Sequence, residues 1–388
     1  MKAVVCKDKI LTVVDRPDPV PAKGQLLVRV IRCGICGSDL HVRQHCDHWG
    51  QLMVRSGYTA LQSASQEVVF GHEFSAEVLD SGPRTRTSLK PGTPIVAVPM
   101  LRRGKEIDLV GLSAYTPGAY AERTLVEASL AMAIPNGLSP ETAALTEPLA
   151  VGWHAVLRGE VKASDVAIVI GCGPVGLAII CLLKAKGVRK IVASDFSPAR
   201  RAMAERCGAT KVIDPAQGSP FESHRKSGFI HEAQDLFELA VGTKEKLDML
   251  PVPWWPLWAA GERIVGRKHP VVFECVGAPG VLQSIISGVP MFTRIVVVGV
   301  CMQPDQIEPA IGINKELDIR FALGYTPLEF RQALHMLAEG EVDAAPLITG
   351  TVGLGGVDEA FSALAGAGHH AKILIDPASA VSTVAGGK

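Results

Sequence analysis

The pattern of apolar and polar positions changes once along the chain. Up to about residue 148, short alternating runs are separated by Pro and Gly, as in 25–37 (QLLVRVIRCGICG), 67–82 (EVVFGHEFSAEVLDSG) and 92–100 (GTPIVAVPM). Such runs are typical of β-strands joined by turns. Residues 1–15 also alternate, lack the continuous apolar stretch of a signal peptide, and predict a first strand. We therefore expect residues 1–148 to form an irregular, mostly β domain.

From residue 149 the pattern becomes one of apolar strands alternating with helical stretches. Strand-like runs occur at 166–170 (VAIVI), 190–195 (KIVASD), 271–277 (VVFECVG) and 293–300 (TRIVVVGV). Apolar strands separated by helices predict βαβ units and a parallel sheet. The chain is therefore expected to be an α/β protein, with a nucleotide-binding domain at 149–324.

Two further segments complete the predicted organisation. About 55 residues separate Asp214 from the strand at 271–277, which predicts an insert at about 215–270. The tail, 325–388, contains a predicted helix at 328–342 and an apolar strand at 372–375 (KILI). We expect the tail to return and complete the first domain. A length of 388 residues is consistent with two domains.

Charge and cysteine content narrow the possible partners. Lys plus Arg total 39 and Asp plus Glu total 39, so no net charge attracts the chain to nucleic acid or to an anionic membrane. The nine cysteines lack the regular spacing of a secreted disulfide scaffold, which predicts a reducing cytoplasmic location. Residues 166–183 carry no charge, but their interior GCGPVG would interrupt a membrane helix. We expect no membrane span and a small-molecule partner.

A glycine-rich turn between a strand and a helix indicates a dinucleotide site. The turn residues proposed to contact cofactor are Gly171, Gly173, Pro174, Val175 and Gly176. The glycines permit close approach of backbone N–H groups to a pyrophosphate at a helix N-terminus. Asp195, at the end of the next strand, can accept hydrogen bonds from ribose hydroxyls and repel a 2′-phosphate, which favours NAD over NADP. Arg200 is a further candidate cofactor contact, and together with Arg201 it weakens that preference. The ordinary alternative is a glycine-rich turn with a surface aspartate.

Possible metal ligands are spread through the first domain. Cys36, His72, Glu73 and Glu147 offer a thiolate, an imidazole and carboxylates, all of which bind Zn²⁺, at separations typical of an open catalytic site. Each residue alone has an ordinary interpretation. Cys36 could be a small buried residue, His72 a core histidine and Glu147 an acid at a helix start.

Taken in order, the segments GICGSDLH, GHEFSAEV, TEPLAVGWHA, GCGPVGL, FECVGAPG and VVVGV resemble the zinc-dependent medium-chain alcohol dehydrogenase family. The Glu-Pro-Leu at Glu147 is similar to the polyol, butanediol and threonine dehydrogenase branch. The resemblance implies a Rossmann-type parallel-sheet cofactor domain and a mostly β, GroES-like catalytic domain. It also implies one catalytic zinc held by Cys36 and His72, with Glu147 or Glu73 completing the site directly or through water.

The same resemblance implies further roles. Asp39 orients the ligand histidine, and Ser38 and His41 form a proton relay with the cofactor ribose between them. Val276 and Val298 line the nicotinamide. Members of the family are at least dimers, so a homodimer or homotetramer is expected.

Three departures from the family affect the expected site. Residues 98–120 contain no cysteine where many members hold a structural zinc, so no structural zinc is expected. His45, Cys46, His48 and Trp49 lie between the first two ligands and could bind metal, but we expect pocket wall or surface. Prolines surround Trp254, Trp255 and Trp258 in the insert. Trp49, Trp254 and Trp255 are candidates for the substrate pocket. In this hypothesis the insert is an aromatic lid over a bulky apolar substrate. The alternatives for the insert are a subunit contact or a core patch.

The sequence thus predicts a zinc-dependent dehydrogenase that transfers hydride between an alcohol, expected to be secondary, and NAD to give a ketone or aldehyde. Two alternatives stay open. One is a zinc-free NAD(P)H-dependent quinone or enone reductase of the same fold, and the other is a non-catalytic dinucleotide-binding protein.

Overall fold

The computed structural model describes residues 1–58, 63–265, 268–366 and 370–384. The strands are β1 (Lys2–Lys7), β2 (Ile10–Asp15), β3 (Gln25–Gly34), β4 (Val68–Val69), β5 (Glu73–Ser81), β6 (Pro94–Ala97), β7 (Met100–Arg103), β8 (Glu106–Leu109), β9 (Arg123–Glu127), β10 (Ala131–Ala133), β11 (Val166–Ile170), β12 (Lys190–Ser194), β13 (Lys211–Ile213), β14 (Val271–Glu274), β15 (Arg294–Val297), β16 (Asp318–Phe321), β17 (Ile348–Val352) and β18 (Lys372–Ile375). The α-helices are α1 (Gly37–Arg55), α2 (Pro140–Ala143), α3 (Thr146–Gly159), α4 (Pro174–Ala185), α5 (Pro198–Cys207), α6 (Ala233–Asp248), α7 (Trp254–Val265), α8 (Val281–Gly288), α9 (Pro309–Asn314), α10 (Pro327–Ala338) and α11 (Val357–Ala365).

The N-terminal part is built from antiparallel sheets. One sheet has the order β2-β1-β4, and a larger one runs β10-β6-β5-β3-β18-β17 with β9 also paired to β3. Residues 1–15 form two strands rather than one, because Asp8 and Lys9 adopt positive φ angles of 47° and 68° and turn the chain back. The predicted mostly β character of this region is therefore observed.

The second sheet is entirely parallel, in the order β13-β12-β11-β14-β15-β16. This is the strand order of a doubly wound dinucleotide-binding domain, and the order reverses between β11 and β14. Apolar clusters cover both faces of the sheet. The uncharged run 166–183 is β11, a turn and most of α4. No helix in the described ranges is long and apolar enough to span a bilayer.

The tail contributes to both parts of the molecule. Phe330 and Leu334 of α10 are buried in the cluster that contains α3 and α4 residues. Further on, β18 pairs antiparallel with β3 and parallel with β17. By this pairing β18 lies beside the strand that leads to Cys36.

The insert between β13 and β14 is helical. It contains a short 3₁₀ helix at Pro220–Ser227 followed by α6 and α7, which pack against each other. No residue of α6 is buried. Phe221 of the 3₁₀ helix, by contrast, is buried in the apolar cluster on one face of the parallel sheet, so the insert contributes to that core through its first part.

Candidate active site

Strand pairing brings three potential metal ligands together. In the β3–β5 ladder Gly34 lies opposite Glu73, so Cys36, two residues after Gly34, comes close to His72 and Glu73. One ligand atom from each of Cys36, His72 and Glu73 lies within 4.8 Å of the other two. Such spacing allows the three atoms to approach a single cation.

The His72 ring is held between two polar side chains. Its Nε2 lies 3.4 Å from Ser38 Oγ, and its Nδ1 lies 3.4 Å from Asp39 Oδ1. Within the described residues, neither Nδ1 nor Oδ1 has a hydrogen bond of good geometry. The fully buried Asp39 uses its other oxygen to accept hydrogen bonds from the Tyr120 hydroxyl (2.7 Å) and the Cys36 N–H (3.1 Å). Asp39 therefore fixes both the ligand histidine and the loop of the ligand cysteine, as expected for an outer carboxylate of a metal site.

The pKa shifts of Cys36 and His72 favour a bound cation at this cluster. Burial, reinforced by Glu73, raises the pKa of the Cys36 thiol, so a thiolate is unfavourable there without added positive charge. Burial disfavours protonation of His72, but Asp39 and Cys36 outweigh it and raise its pKa well above the ordinary value. A zinc ion would replace that proton and stabilise the thiolate. The donor set of sulfur, imidazole and carboxylate therefore fits zinc.

Glu73 is part of a buried ion pair. Lys372 Nζ lies 2.8 Å and 2.6 Å from the two carboxylate oxygens and also donates to the Ile35 carbonyl at 3.0 Å. Both side chains are 1% exposed. A Cβ at Gly34 would lie 2.2 Å from Glu73 Oε2, so only glycine leaves room for this carboxylate. Glu73 is oriented from the side of β18 while its carboxylate remains within reach of Cys36 and His72.

Glu147 is a second acid, outside the group of three. It lies in the first turn of α3 and is buried. Burial raises its pKa to about 7, against the opposing effects of His72 and of a hydrogen bond from Tyr325. Its carboxylate therefore gains a proton more readily than an exposed glutamate.

The glycine-rich turn has the predicted shape. Gly171 adopts φ +92°, and a Cβ at Gly176 would lie 2.0 Å from the Gly171 carbonyl oxygen. Gly173 caps α4, Pro174 is its first residue and Val175 packs on the cofactor-side core. Asp195 accepts the N–H groups of Cys172 (2.9 Å) and Ser197 (2.8 Å). The acid thus anchors the turn as well as facing the sheet edge where a ribose would lie.

Two arginines near Asp195 make different hydrogen bonds. Arg201 donates to the carbonyls of Asp195 and Phe196 and lies 3.3 Å from Asp214. Arg200 donates its backbone N–H to Ser197 Oγ at 3.4 Å. The guanidinium of Arg201 is therefore already engaged by the protein.

Val276 and Val298 lie on neighbouring turns that follow β14 and β15. Val276 is 45% exposed, and Val298 packs partly on the core. Both turns are at the carboxyl edge of the parallel sheet, and Val276 lies next to Gly171. They are thus located where the far half of a dinucleotide would lie.

Comparison with known proteins identifies the family of this chain. Residues 22–136 match the alcohol dehydrogenase GroES-like domain and residues 174–339 match the zinc-binding dehydrogenase family. The chain belongs to the zinc-dependent medium-chain alcohol dehydrogenase family. It is an NAD(P)- and zinc-dependent alcohol oxidoreductase, and the zinc-free reductase and non-catalytic alternatives are not favoured.

Several relatives of this dehydrogenase align over almost its whole length. (R,R)-Butanediol dehydrogenase of Bacillus subtilis is 29% identical over 371 residues, covering 93% of this chain and 94% of the relative. Sorbitol dehydrogenase of Rattus norvegicus is 28% identical and covers 92% of each. The crystal structure of 2R,3R-butanediol dehydrogenase from Bacillus subtilis superposes with a TM-score of 0.73 at 28% identity, covering 97% of this chain and 99% of that one. The predicted family and fold class are thus confirmed.

Three residues of the dehydrogenase site were missed by sequence reasoning: Tyr120, Tyr325 and Lys372. Lys372 had one signal, because it is the only charged residue of an otherwise apolar strand. The two tyrosines had none, since they lie far along the chain from Asp39 and Glu147, which they hydrogen-bond. Lys372 supports Glu73 of the metal cluster, and the two tyrosines support the neighbouring acids Asp39 and Glu147.

Other candidate residues predicted from the sequence lie on α1. His41, on α1 with Ser38, is half-buried, and burial together with His45 lowers its pKa. Trp49 packs against the buried cluster of the first domain, and His48 Nε2 lies 2.7 Å from the Met302 carbonyl oxygen. Residues 98–120, which lack cysteine, include the β7–β8 hairpin.

The insert tryptophans form an aromatic cluster of their own. Trp254 packs edge-on against Trp255 and Trp258, and Lys244 lies 4.7 Å from its ring centroid. Trp255 is 61% exposed. In the described part of the chain, none of these ring contacts reaches the Cys36–His72 cluster. A substrate-lining role for Trp254 and Trp255 stays a prediction.

Proposed function

We propose that this dehydrogenase oxidises a secondary alcohol to a ketone with NAD, at a zinc held by Cys36, His72 and Glu73. The convergence of these three donors within 4.8 Å carries the proposal. The catalytic part would comprise 1–148 and 325–388, and the cofactor part 149–324. The names of two relatives support the alcohol class: the hydroxyls of 2R,3R-butanediol are on secondary carbons, and the threonine enzyme is a 3-dehydrogenase.

The two acids have separate roles in this proposal. Glu73 belongs to the ligand group and is oriented by Lys372, whereas Glu147 lies next to it with a pKa near neutrality. Glu147 would then hold the substrate hydroxyl, or a water, at the open position by a hydrogen bond. We expect Glu73→Ala to lose zinc, and Glu147→Ala to keep most of its zinc while losing turnover. Metal analysis after dialysis tests this, and the reverse pattern would exchange the two roles.

The cofactors supply the reactive centres when bound: zinc acts as a Lewis acid on the alcohol oxygen and NAD accepts the hydride. The chain then has to move one proton to solvent. Ser38 Oγ, 3.4 Å from His72 Nε2, would accept the hydroxyl proton while releasing its own proton toward His41 on the same helix, and His41 would pass a proton to solvent. A His41→Gln variant should lose turnover, with partial recovery in concentrated imidazole buffer. No recovery would argue against His41 as the proton carrier.

NAD is proposed as the preferred dinucleotide. Asp195 would face the 2′-position of the adenosine ribose, where a phosphate would be repelled. Its neighbour Arg201 is already bound to two carbonyls and lies close to Asp214, which leaves it poorly placed to neutralise such a phosphate. The decisive assay is a screen of alcohols graded in size, with NAD and with NADP, before and after chelation. Equal turnover rates before and after removal of zinc would refute the proposal.

We further propose a homodimer or homotetramer in the cytoplasm. The β16 strand is an edge of the parallel sheet and exposes Phe321, which suits pairing with a second copy. All nine cysteines are free, as a reducing compartment would keep them. Analytical ultracentrifugation would test the assembly, and a monomer at micromolar concentration would contradict it.

A further inference from the structure

We propose that Glu274 is a positioning residue for the nicotinamide half of the cofactor. In this proposal its buried carboxylate ties together the two turns that carry Val276 and Val298. The inference rests on the proposed NAD-dependent function, which provides the ligand. It concerns a residue that lies behind the binding surface and does not itself touch the cofactor.

Glu274 holds both turns through four hydrogen bonds. It is the last residue of β14 and is 3% exposed. Its Oε1 accepts the N–H groups of Val276 (2.7 Å) and Gly277 (2.8 Å). Its backbone carbonyl accepts those of Val298 and Gly299, each at 2.9 Å. The Gly299 N–H also lies near enough to the carboxylate to oppose the rise in its pKa. One residue thus fixes the backbone on either side of the proposed nicotinamide site.

The two turns are packed so closely that Glu274 determines their separation. A Cβ at Gly299 would lie 2.3 Å from the Gly277 nitrogen and 2.8 Å from Glu274 Oε2. On the other side, a Cβ at Gly171 would lie 2.8 Å from Val276 Cγ2. Glu274 is therefore at the centre of three turns, the phosphate turn among them. A shift of its carboxylate would move Val276 and Val298 relative to each other.

The charge of Glu274 is unusual for a purely structural support. No cationic side chain pairs with it in the described ranges, and burial raises the pKa of its carboxyl while the backbone N–H groups oppose that rise. Burying a charge without a cation is expensive, whereas hydrogen bonds to a charged acceptor are short and strong. In contrast to Glu274, Val276 is 45% exposed. A rigid buried anchor beneath an exposed residue is the arrangement that a preorganised binding surface requires.

The effect should be confined to one half of the cofactor. The adenosine half would meet the Gly173–Gly176 turn and Asp195, and Asp195 is anchored by its own hydrogen bonds to Cys172 and Ser197. Loosening Glu274 would leave those contacts in place. NAD and ADP-ribose differ by the nicotinamide alone, so comparing the affinities for these two ligands isolates the contribution of Glu274.

The test variant is Glu274→Gln in the full-length protein. Only one of its two terminal atoms can remain an acceptor, so the new NH₂ must face a backbone N–H at Gly299 or at Val276 and Gly277. We expect titration calorimetry to show NAD binding weakened by about ten- to a hundredfold, the effect of losing a hydrogen bond to a charged group. Binding of ADP-ribose should change by less than about twofold, within ordinary mutational scatter.

Asp318→Asn is the matched control. It makes the same carboxylate-to-amide change in the same sheet, at the start of β16, where Asp318 pairs with Arg294 at 2.8 Å. Its ratio of NAD to ADP-ribose affinity should equal that of the wild type. If Glu274→Gln does not fold, Glu274→Asp serves instead, because it keeps the charge but withdraws the carboxylate by one methylene.

The outcomes separate this inference from the proposed function. Equal weakening of both ligands in the Glu274 variant, or weakening of neither, would overturn the positioning role. If the wild-type protein binds neither NAD nor ADP-ribose, the proposed function itself fails. Selective loss of NAD binding in Glu274→Gln, with Asp318→Asn unaffected, would establish the role of Glu274.

Discussion

Replacing Lys372 with methionine tests the buried ion pair behind the metal site. The ammonium group contacts both oxygens of Glu73 and the Ile35 carbonyl, and both charged side chains are 1% exposed. Removing it would leave a carboxylate buried without a partner. The expected loss is about 3–5 kcal/mol in the free energy of unfolding of the zinc-free protein, as found when one member of a buried pair is removed.

The pH range of this effect follows from the pKa of Lys372. Burial lowers that pKa, but Glu73 outweighs burial and the result lies above the ordinary value of 10.5. A folded-state pKa above the unfolded one gives stability that is complete below the unfolded pKa and is lost as pH rises through the folded value. The penalty of Lys372→Met should therefore be constant from about pH 6 to about pH 9.

Urea unfolding followed by circular dichroism gives the measurement. The double variant Glu73→Gln with Lys372→Met should recover most of the loss, because no unpaired charge remains. Lys315→Met is the control: Lys315 donates only to carbonyls, at Ile286, Ser287 and Val289, and its loss should cost about 1–2 kcal/mol. A loss below about 1 kcal/mol for Lys372→Met, or no recovery in the double variant, would refute the reasoning.

Three further predictions concern the metal and cofactor sites. Tyr120→Phe removes the hydroxyl that donates a hydrogen bond to Asp39 and should weaken zinc binding by about ten- to a hundredfold, as measured by chelator competition. An unchanged zinc affinity would show that Tyr120 does not support the metal site. Asp195→Asn should lower the ratio of kcat/KM for NAD to that for NADP by about tenfold or more, and an unchanged ratio would remove Asp195 from cofactor selection. The zinc-free protein should lose stability as pH rises from the ordinary glutamate pKa of 4.5 to about 7, since burial raises the pKa of Glu147. Glu147→Gln should flatten that part of the pH profile of the urea midpoint, and a profile that kept its slope would assign it to another group.

Much of the fold was readable from local patterns. The apolar strands and the helices between them predicted the parallel sheet, and the glycines at 171, 173 and 176 predicted the turn, because Gly171 needs a positive φ and Gly176 needs close approach to its carbonyl. The predicted helix at 328–342 and the strand at 372–375 are α10 and β18. These features depend on interactions between residues that are close in sequence, so their signal is local.

Other features depended on strand register and on packing between distant segments. The insert was predicted, but not that its tryptophans pack on one another and on Lys244. The apolar periodicity of α6 and α7 could not show which part of the molecule these helices would pack against. The two strands at the N-terminus were predicted as one, because the turn at Asp8 and Lys9 uses no glycine.

The sequence by itself determined the ligand types, the cofactor turn and the order of the elements. Only the tertiary structure decided which partner each buried acid has. The β18–β3 and β3–β5 ladders bring Lys372 to Glu73 across 299 residues, and packing brings Tyr120 to Asp39 across 81. Such pairings leave no periodic trace, because they arise from the register between strands that are far apart in the chain. The residues that carry the chemistry could therefore be recognised from local sequence. The partners that set the charge and orientation of the buried acids were decided by the fold.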